Sequence, residues 1–126
     1  MSQPDLAPPR RQPQFSSHRR AGELVFVSGQ MAFGDGFRIE GDDVASQTAR
    51  CLQRIADELA RAGLGRGDIV KATVWLARVE DFAAFDQAYG AWFAGHSLPA
   101  RSTVRADLMV PGALVEIEAI ACHPGA

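Results

Sequence analysis

Hydrophobic positions along the chain switch between two periods. From Glu23 to Gln30 (ELVFVSGQ), β-branched and aromatic residues crowd both parities of a short segment, which predicts a strand. Phe37 to Glu40, beyond the turn residues Gly34, Asp35 and Gly36, is its expected hairpin partner. After Gly41 the period becomes helical. Val44, Cys51, Leu52, Ile55, Leu59 and Ala62 fall on one face, Asp42 and Asp43 are placed to cap it, and Gln53, Arg54, Asp57 and Arg61 take the other side. Gly63, Gly65 and Gly67 end that helix and lead into Ile69 to Leu76 (IVKATVWL), another apolar strand. Glu80 and Asp81 open a second helix with Phe82, Phe85, Tyr89, Trp92 and Phe93 on one face; Gly95 closes it and Pro99 bars its continuation. Two further strand-like runs, Arg101 to Leu108 and Ala113 to Cys122, are joined through a turn at Pro111 and Gly112.

The predicted order is ββαβαββ, an α+β fold. A strand–helix–strand crossover makes parallel neighbours, so both helices are expected on one face of a mixed sheet. The other face then lacks a cover. Strands Glu23 to Gln30 and Ile69 to Leu76 are apolar at both parities and no third helix is available, which predicts a homo-oligomer that buries the second face. Four prolines in the first 13 residues, beside Arg10 and Arg11, predict a flexible N-terminal tail over 1–13 and a single domain over 14–126.

Composition narrows the function. In 126 residues, 47% are hydrophobic and 22% charged, enough for a packed core, while a formal net charge of -2 argues against a partner bound through its phosphates. No nucleic acid is expected as a partner. No apolar run is long enough for a membrane span and the start lacks a secretory pattern, so the expected location is cytoplasmic. In a reducing compartment Cys51 and Cys122 read as small buried hydrophobes.

Several motifs dissolve on inspection. GLGRGD follows a helix, whereas a phosphate loop precedes one, so it reads as a C-cap and turn. His18, His96 and His123 lack zinc-ligand spacing, and no metal is expected. Ser28 has no G-x-S-x-G setting and reads as a strand-end hydroxyl bonded to nearby backbone. Lys71, the only lysine, sits mid-strand and reads as protection of an edge rather than a Schiff-base amine. Arg10, Arg11, Arg19 and Arg20 read as part of a solvated arm.

The chemistry concentrates in the C-terminal third. Arg101 stands at a strand entrance, and Glu116 and Glu118 alternate in an otherwise apolar strand and so share a face. Carboxylates in so apolar a strand need a partner or a task. A guanidinium can hold a substrate carboxylate through two parallel hydrogen bonds, and a carboxylate can orient or deprotonate water, a pairing suited to hydrolysis of a small acid. If the last two strands form a hairpin, Arg101 lies opposite residues near 120, about four residues or ~13 Å along the strand from Glu116. A shared site would then be completed across a subunit boundary. An Arg and two Glu that merely bridge subunits electrostatically remain the alternative.

From about Phe15 to Ala121 the chain resembles the Rid (reactive intermediate deaminase, or YjgF) family. The resemblance is carried by VSGQ at 27–30, AGLGRGDIVKATVWL at 62–76, DFAAFDQAYGAWF at 81–93, PARSTV at 99–104 and VEIEAIA at 115–121. It implies a chorismate-mutase-like (YjgF) fold, a homotrimer with clefts between subunits, and hydrolysis of enamine or imine intermediates such as 2-aminoacrylate to 2-keto acids and ammonia, without cofactor or metal. It also implies that Arg101 binds the substrate carboxylate, that Glu116 holds the attacking water, and that the Gly29 backbone with Ser28 lines the pocket. Two positions depart from the well-studied deaminases, Phe15 where they have tyrosine and Thr103 where they have cysteine, and the lost phenol removes a hydrogen-bonding group from the pocket wall. A non-catalytic sensor of 2-keto acids is the chief rival, and an endoribonuclease a weaker one.

Overall fold

The computed structural model describes residues 13–124. The strands are β1 (His18–Ala21), β2 (Leu24–Gln30), β3 (Ile69–Leu76), β4 (Ala100–Arg105) and β5 (Val115–Cys122), and the helices are α1 (Val44–Arg61) and α2 (Phe82–Trp92). They form one mixed sheet in the order β1-β2-β5-β3-β4, in which only β3 and β4 are parallel. The order ββαβαββ and the two helices on one face agree with the pattern. The expected tail falls, apart from Pro13, outside the described residues.

Local chemistry fixes the helix ends. Asp43 Oδ1 accepts the Ser46 N–H at 2.8 Å. At the other end of α1, Gly63 takes φ 77°, its N–H bonds to Ala60 O and the Leu64 N–H to Leu59 O. That is a Schellman motif, open to glycine because the left-handed region costs it nothing. The helices press Cys51, Leu52, Ile55 and Leu59 from α1, and Phe85, Tyr89 and Phe93 from α2, into the same core as Val115, Ile117, Ala119 and Ala121 of β5, all 3% exposed or less.

Two expectations about pairing are corrected. The partner of β2 is β1, not Phe37 to Glu40: Ala21 pairs with Leu24 around a two-residue loop in which Gly22 takes φ 61°. Phe37 to Glu40 instead belongs to a tight loop with a single bridge, Phe33 to Ile39. The sequence HRRA gave no signal because β1 is an edge strand with no apolar face to bury. Nor do the last two strands form a hairpin. The chain does turn at Pro111 and Gly112, but β5 enters between β2 and β3, so that Arg101 pairs with Ala72 and Ala72 in turn with Ala119. The physical reason lies in the side chains. Val115–Cys122 alternates fully buried residues and belongs in the middle of the sheet, whereas Ala100–Arg105 is polar and belongs at its edge. Gln47 of α1 ties the turn in place, with its Nε2 donating to Gly41 O and Gly112 O and its Oε1 accepting from Leu114 N–H at 2.8 Å.

The face away from the helices carries Leu24, Phe26 and Val104, each at least 36% exposed. Lys71 lies on that face and donates to Ser102 Oγ at 3.1 Å. Cys51 is buried as expected, but Cys122 is partly exposed. No helix among the described residues is long and apolar enough to cross a membrane.

Because Ile55 is fully buried between α1 and the sheet, Ile55→Ala leaves a cavity and lowers stability by about 2–5 kcal/mol, measured by urea denaturation at fixed protein concentration.

Candidate active site

The site begins with a bulge. Val27 pairs with Ala119 and Gln30 with Ile117, so β2 spends one more residue than β5 over the same stretch. The extra residue falls at Ser28–Gly29. There the Glu116 side chain lies directly on the β2 backbone: a Cβ built on Gly29 would stand 2.3 Å from Glu116 Oε2. A side chain at position 29 would displace that carboxylate.

Glu116 alternates with the buried Val115 and Ile117, so it points away from the core face of β5. Partial burial pushes its carboxyl above the usual 4.5, and the Glu118 carboxylate on the same face pushes it further. It lines a cleft of about 640 Å³ together with Phe15, Gly29, Phe33, Phe37 and Arg54. The two phenylalanines of the loop after β2 meet edge to face, 5.7 Å between centroids. Phe37 holds φ 59°, a strained value for an aromatic residue, at the lip of the cleft.

The segment before β1 forms the outer wall. Ser28 Oγ donates to Ser16 O at 2.6 Å and the Ser28 N–H bonds to Ser17 O, so Ser28 does what its strand-end position predicted. Ser17 Oγ donates to Glu58 Oε2 at 2.8 Å, and His18 Nδ1 shares a hydrogen bond with the same oxygen. Burial works to raise the Glu58 carboxyl, but the bonds from His18 and Ser17 hold it below its ordinary value. Phe15, 62% exposed, stands at the mouth of the cleft.

Arg101 stands elsewhere. On the helix side of β4 it forms an ion pair with Asp86 at 2.8 Å and lies 4.7 Å over the Tyr89 ring and 5.1 Å from that of Phe85. It borders a second cleft of about 350 Å³ with Asp86, Tyr89, Gly90, Leu98 and Pro99. Burial pushes the Tyr89 phenol up to about 12, against the lowering effect of Arg101. Thr103, two residues along the same face, has a buried hydroxyl without a hydrogen-bond partner among the described residues. One protomer therefore unites Phe15, Gly29 and Glu116 in one cleft, places Ser28 in a neighbouring hollow with Ser16 and Glu118, and leaves Arg101 and Thr103 apart, with β3 between β4 and β5.

Pattern reading missed three cleft residues. Phe33 and Phe37 lie in a loop without period. The helical period puts Arg54 on the polar side of α1, yet it is partly buried and bonds through Nε to Gln30 Oε1 at 3.0 Å. The signal was its spacing, three residues after Cys51 and four before the buried Glu58, which puts it at the margin of the core stripe. Among the described residues no group of three or more His, Cys, Asp or Glu is arranged to hold a metal ion.

Comparison with known proteins places this geometry. The sequence model of the family described as Endoribonuclease L-PSP matches residues 7–123. A 2-iminobutanoate/2-iminopropanoate deaminase of Escherichia coli is 36% identical over 102 residues, 79% of this chain and 80% of that protein. A RutC family protein of Pyrococcus horikoshii is 36% identical over 109 residues, 85% of each chain. Among solved structures, TdcF of Escherichia coli with bound serine matches with a TM-score of 0.82 at 31% identity, covering 90% of this chain and 91% of that one. The YjgF gene product of Escherichia coli matches equally well, with a TM-score of 0.82 at 32% identity over 90% and 91% of the two chains. With a family match over most of its length, relatives above 30% identity and a shared sheet topology, the chain belongs to the Rid (YjgF) family, the family described as Endoribonuclease L-PSP.

Proposed function

We propose that this protein is a cofactor-independent imine deaminase that hydrolyses 2-imino acids, such as 2-iminopropanoate, to 2-oxo acids and ammonia, working as a homotrimer with sites between subunits. The observation that carries this reading is the separation of two complementary half-sites. One holds a partly desolvated carboxylate, Glu116, against bare backbone at Gly29; the other holds a guanidinium, Arg101, braced by Asp86 and an aromatic ring. The Glu116 side offers a carboxylate with a raised pKa and the Arg101 side a braced guanidinium, and one protomer does not bring the two together. Leu24, Phe26 and Val104 on the helix-free face offer apolar surface for the boundary that unites them. The deaminase named above, 36% identical, supports the same reaction, and serine bound to TdcF supports a small ligand carrying a carboxylate.

In this mechanism Arg101 holds the substrate carboxylate with the donors that Asp86 leaves free, and Glu116 holds a water beside the imine carbon. The water oxygen bonds to that carbon while its proton passes to Glu116. Glu116 passes that proton to the nitrogen, then relays the proton of the new hydroxyl to the nitrogen as C=O forms and the C–N bond breaks, and 2-oxo acid and ammonia depart. A carboxyl shifted toward neutrality is a better base for this relay than an ordinary one. An iminium is already electrophilic, so orientation supplies most of the acceleration. Ser28 and the Gly29 backbone flank the nitrogen or the water, Thr103 lies beside the anchor, and Phe15 closes the mouth without the phenol that would add a hydrogen bond.

Three outcomes check the reading. Release of ammonia from enzymatically generated 2-iminopropanoate exceeds the spontaneous rate; Arg101→Ala raises KM about 10- to 100-fold, and Glu116→Gln lowers kcat while 2-oxo acid binding survives. Binding without turnover in the unaltered protein marks a sensor instead, and RNA cleavage that persists in Arg101→Ala marks a nuclease. Gly29→Ala pushes the Glu116 carboxylate out of place and lowers kcat on the order of 100-fold, with the fold intact by circular dichroism. The third outcome concerns stability. Since the folded state binds the Glu116 proton more tightly than the unfolded chain, this carboxyl makes stability fall as pH rises from 4.5 through its raised value. Glu116→Gln is therefore more stable than the unaltered protein to urea at pH 7, and that advantage disappears at pH 4.

A further inference from the structure

The Glu116 cleft contains a second charged group that the hydrolysis does not use. Arg54 lines it from α1, opposite the wall that β5 supplies. Its Nε is spent on Gln30 Oε1 at 3.0 Å, and its guanidinium lies 5.5 Å from the Phe33 ring centroid. Gln30 is itself 8% exposed and donates from Nε2 to Ser28 O at 3.1 Å, so the cation is braced rather than loose. Among the described residues its two terminal nitrogens have no hydrogen-bond partner and no carboxylate forms an ion pair with it. Glu116 does not neutralise it: burial and Glu118 govern that carboxyl. A guanidinium partly withdrawn from water without a counter-ion is costly, and a fixed fork of free N–H donors matches a carboxylate.

We propose that Arg54 is a specificity-determining residue that recognises a second acidic group, so that the preferred substrates are 2-imino dicarboxylates. This rests on the deaminase reading above and names its substrate class. With the first carboxylate on Arg101 of a neighbouring subunit and the imine carbon at Glu116, the substrate side chain runs along Phe33 and Phe37, and its distal carboxylate reaches Arg54. Glu116 repels that carboxylate from its own wall and so favours the same orientation. The reaction is unchanged: water adds across C=N, the C–N bond breaks, and the products are a 2-oxo dicarboxylate and ammonia.

The test compares 2-iminosuccinate with 2-iminopropanoate, each generated in place by an amino acid oxidase, for the unaltered protein, Arg54→Leu and Arg54→Lys. The unaltered protein favours the dicarboxylate in kcat/KM. Arg54→Leu lowers that preference about 10- to 100-fold, and Arg54→Lys restores part of it. Binding of 2-oxoglutarate against 2-oxobutanoate by calorimetry gives a readout independent of turnover. If imines are hydrolysed but the preference is absent, or Arg54→Leu affects both substrates equally, Arg54 is only a brace for Gln30 and the proposal falls alone. If no imine is hydrolysed, the deaminase reading fails, and calorimetry still decides whether Arg54 selects a second carboxylate.

Discussion

Because β2 spends three steps, from Val27 to Gln30, where β5 spends two, from Ala119 to Ile117, the strand must buckle at Ser28–Gly29. The buckle has two results that a regular ladder would forbid. It rotates Gln30 onto the helix side, where it meets Arg54, and it lays unadorned backbone against the carboxylate of Glu116. The central position of β5 makes this durable. Its other parity is locked into the core by residues with almost no exposure, so Glu116 cannot turn inward and β5 cannot slip by one residue without burying two carboxylates.

Charge is distributed unevenly across this scaffold. Arg101 has a counter-ion in Asp86 and rings beneath it, and the arrangement orients the guanidinium while blunting its field. Among the described residues no cation offsets the two effects that raise the Glu116 carboxyl, desolvation and a like-charged neighbour. Glu58 shows the opposite balance. Its side chain is also withdrawn from solvent, yet hydrogen bonds from Ser17 and His18 reverse the effect of burial. Three ionisable positions thus differ through partners, not through depth alone.

Legibility in the sequence followed the strength of periodic burial. Helices α1 and α2 and strands β2, β3 and β5 declared themselves because each buries a repeating set of side chains, and Glu116 stood out as a carboxylate in an apolar strand, whereas Gly29 entered only through the family resemblance. Strand β1 was silent because Arg19, Arg20 and Ala21 bury nothing. The hairpin expected of the last two strands failed for a different reason. Adjacent runs with a turn between them look alike in sequence whether they pair with each other or admit a third strand, and only the burial of Ala72 and Val74 on both flanks decides for β3 as the intervening strand. Arg54 escaped notice because a charged residue at the margin of a helical stripe carries the same letter as one facing water.

The outer wall of the Glu116 cleft hangs from the edge of the sheet. Ser16 and Ser17, next to Phe15, are held by Ser28, by one carboxylate on α1 and by the short ladder of β1, none of them part of the hydrophobic core. Fraying of that margin needs far less free energy than global unfolding. Gentle warming, or acid strong enough to protonate Glu58 below the ordinary carboxylate range, loosens that margin before the central strands. Loss of the cleft wall and melting of the core are separate events in such a molecule, and a thermal shift that reports only the core overstates the temperature range over which the cleft keeps its shape.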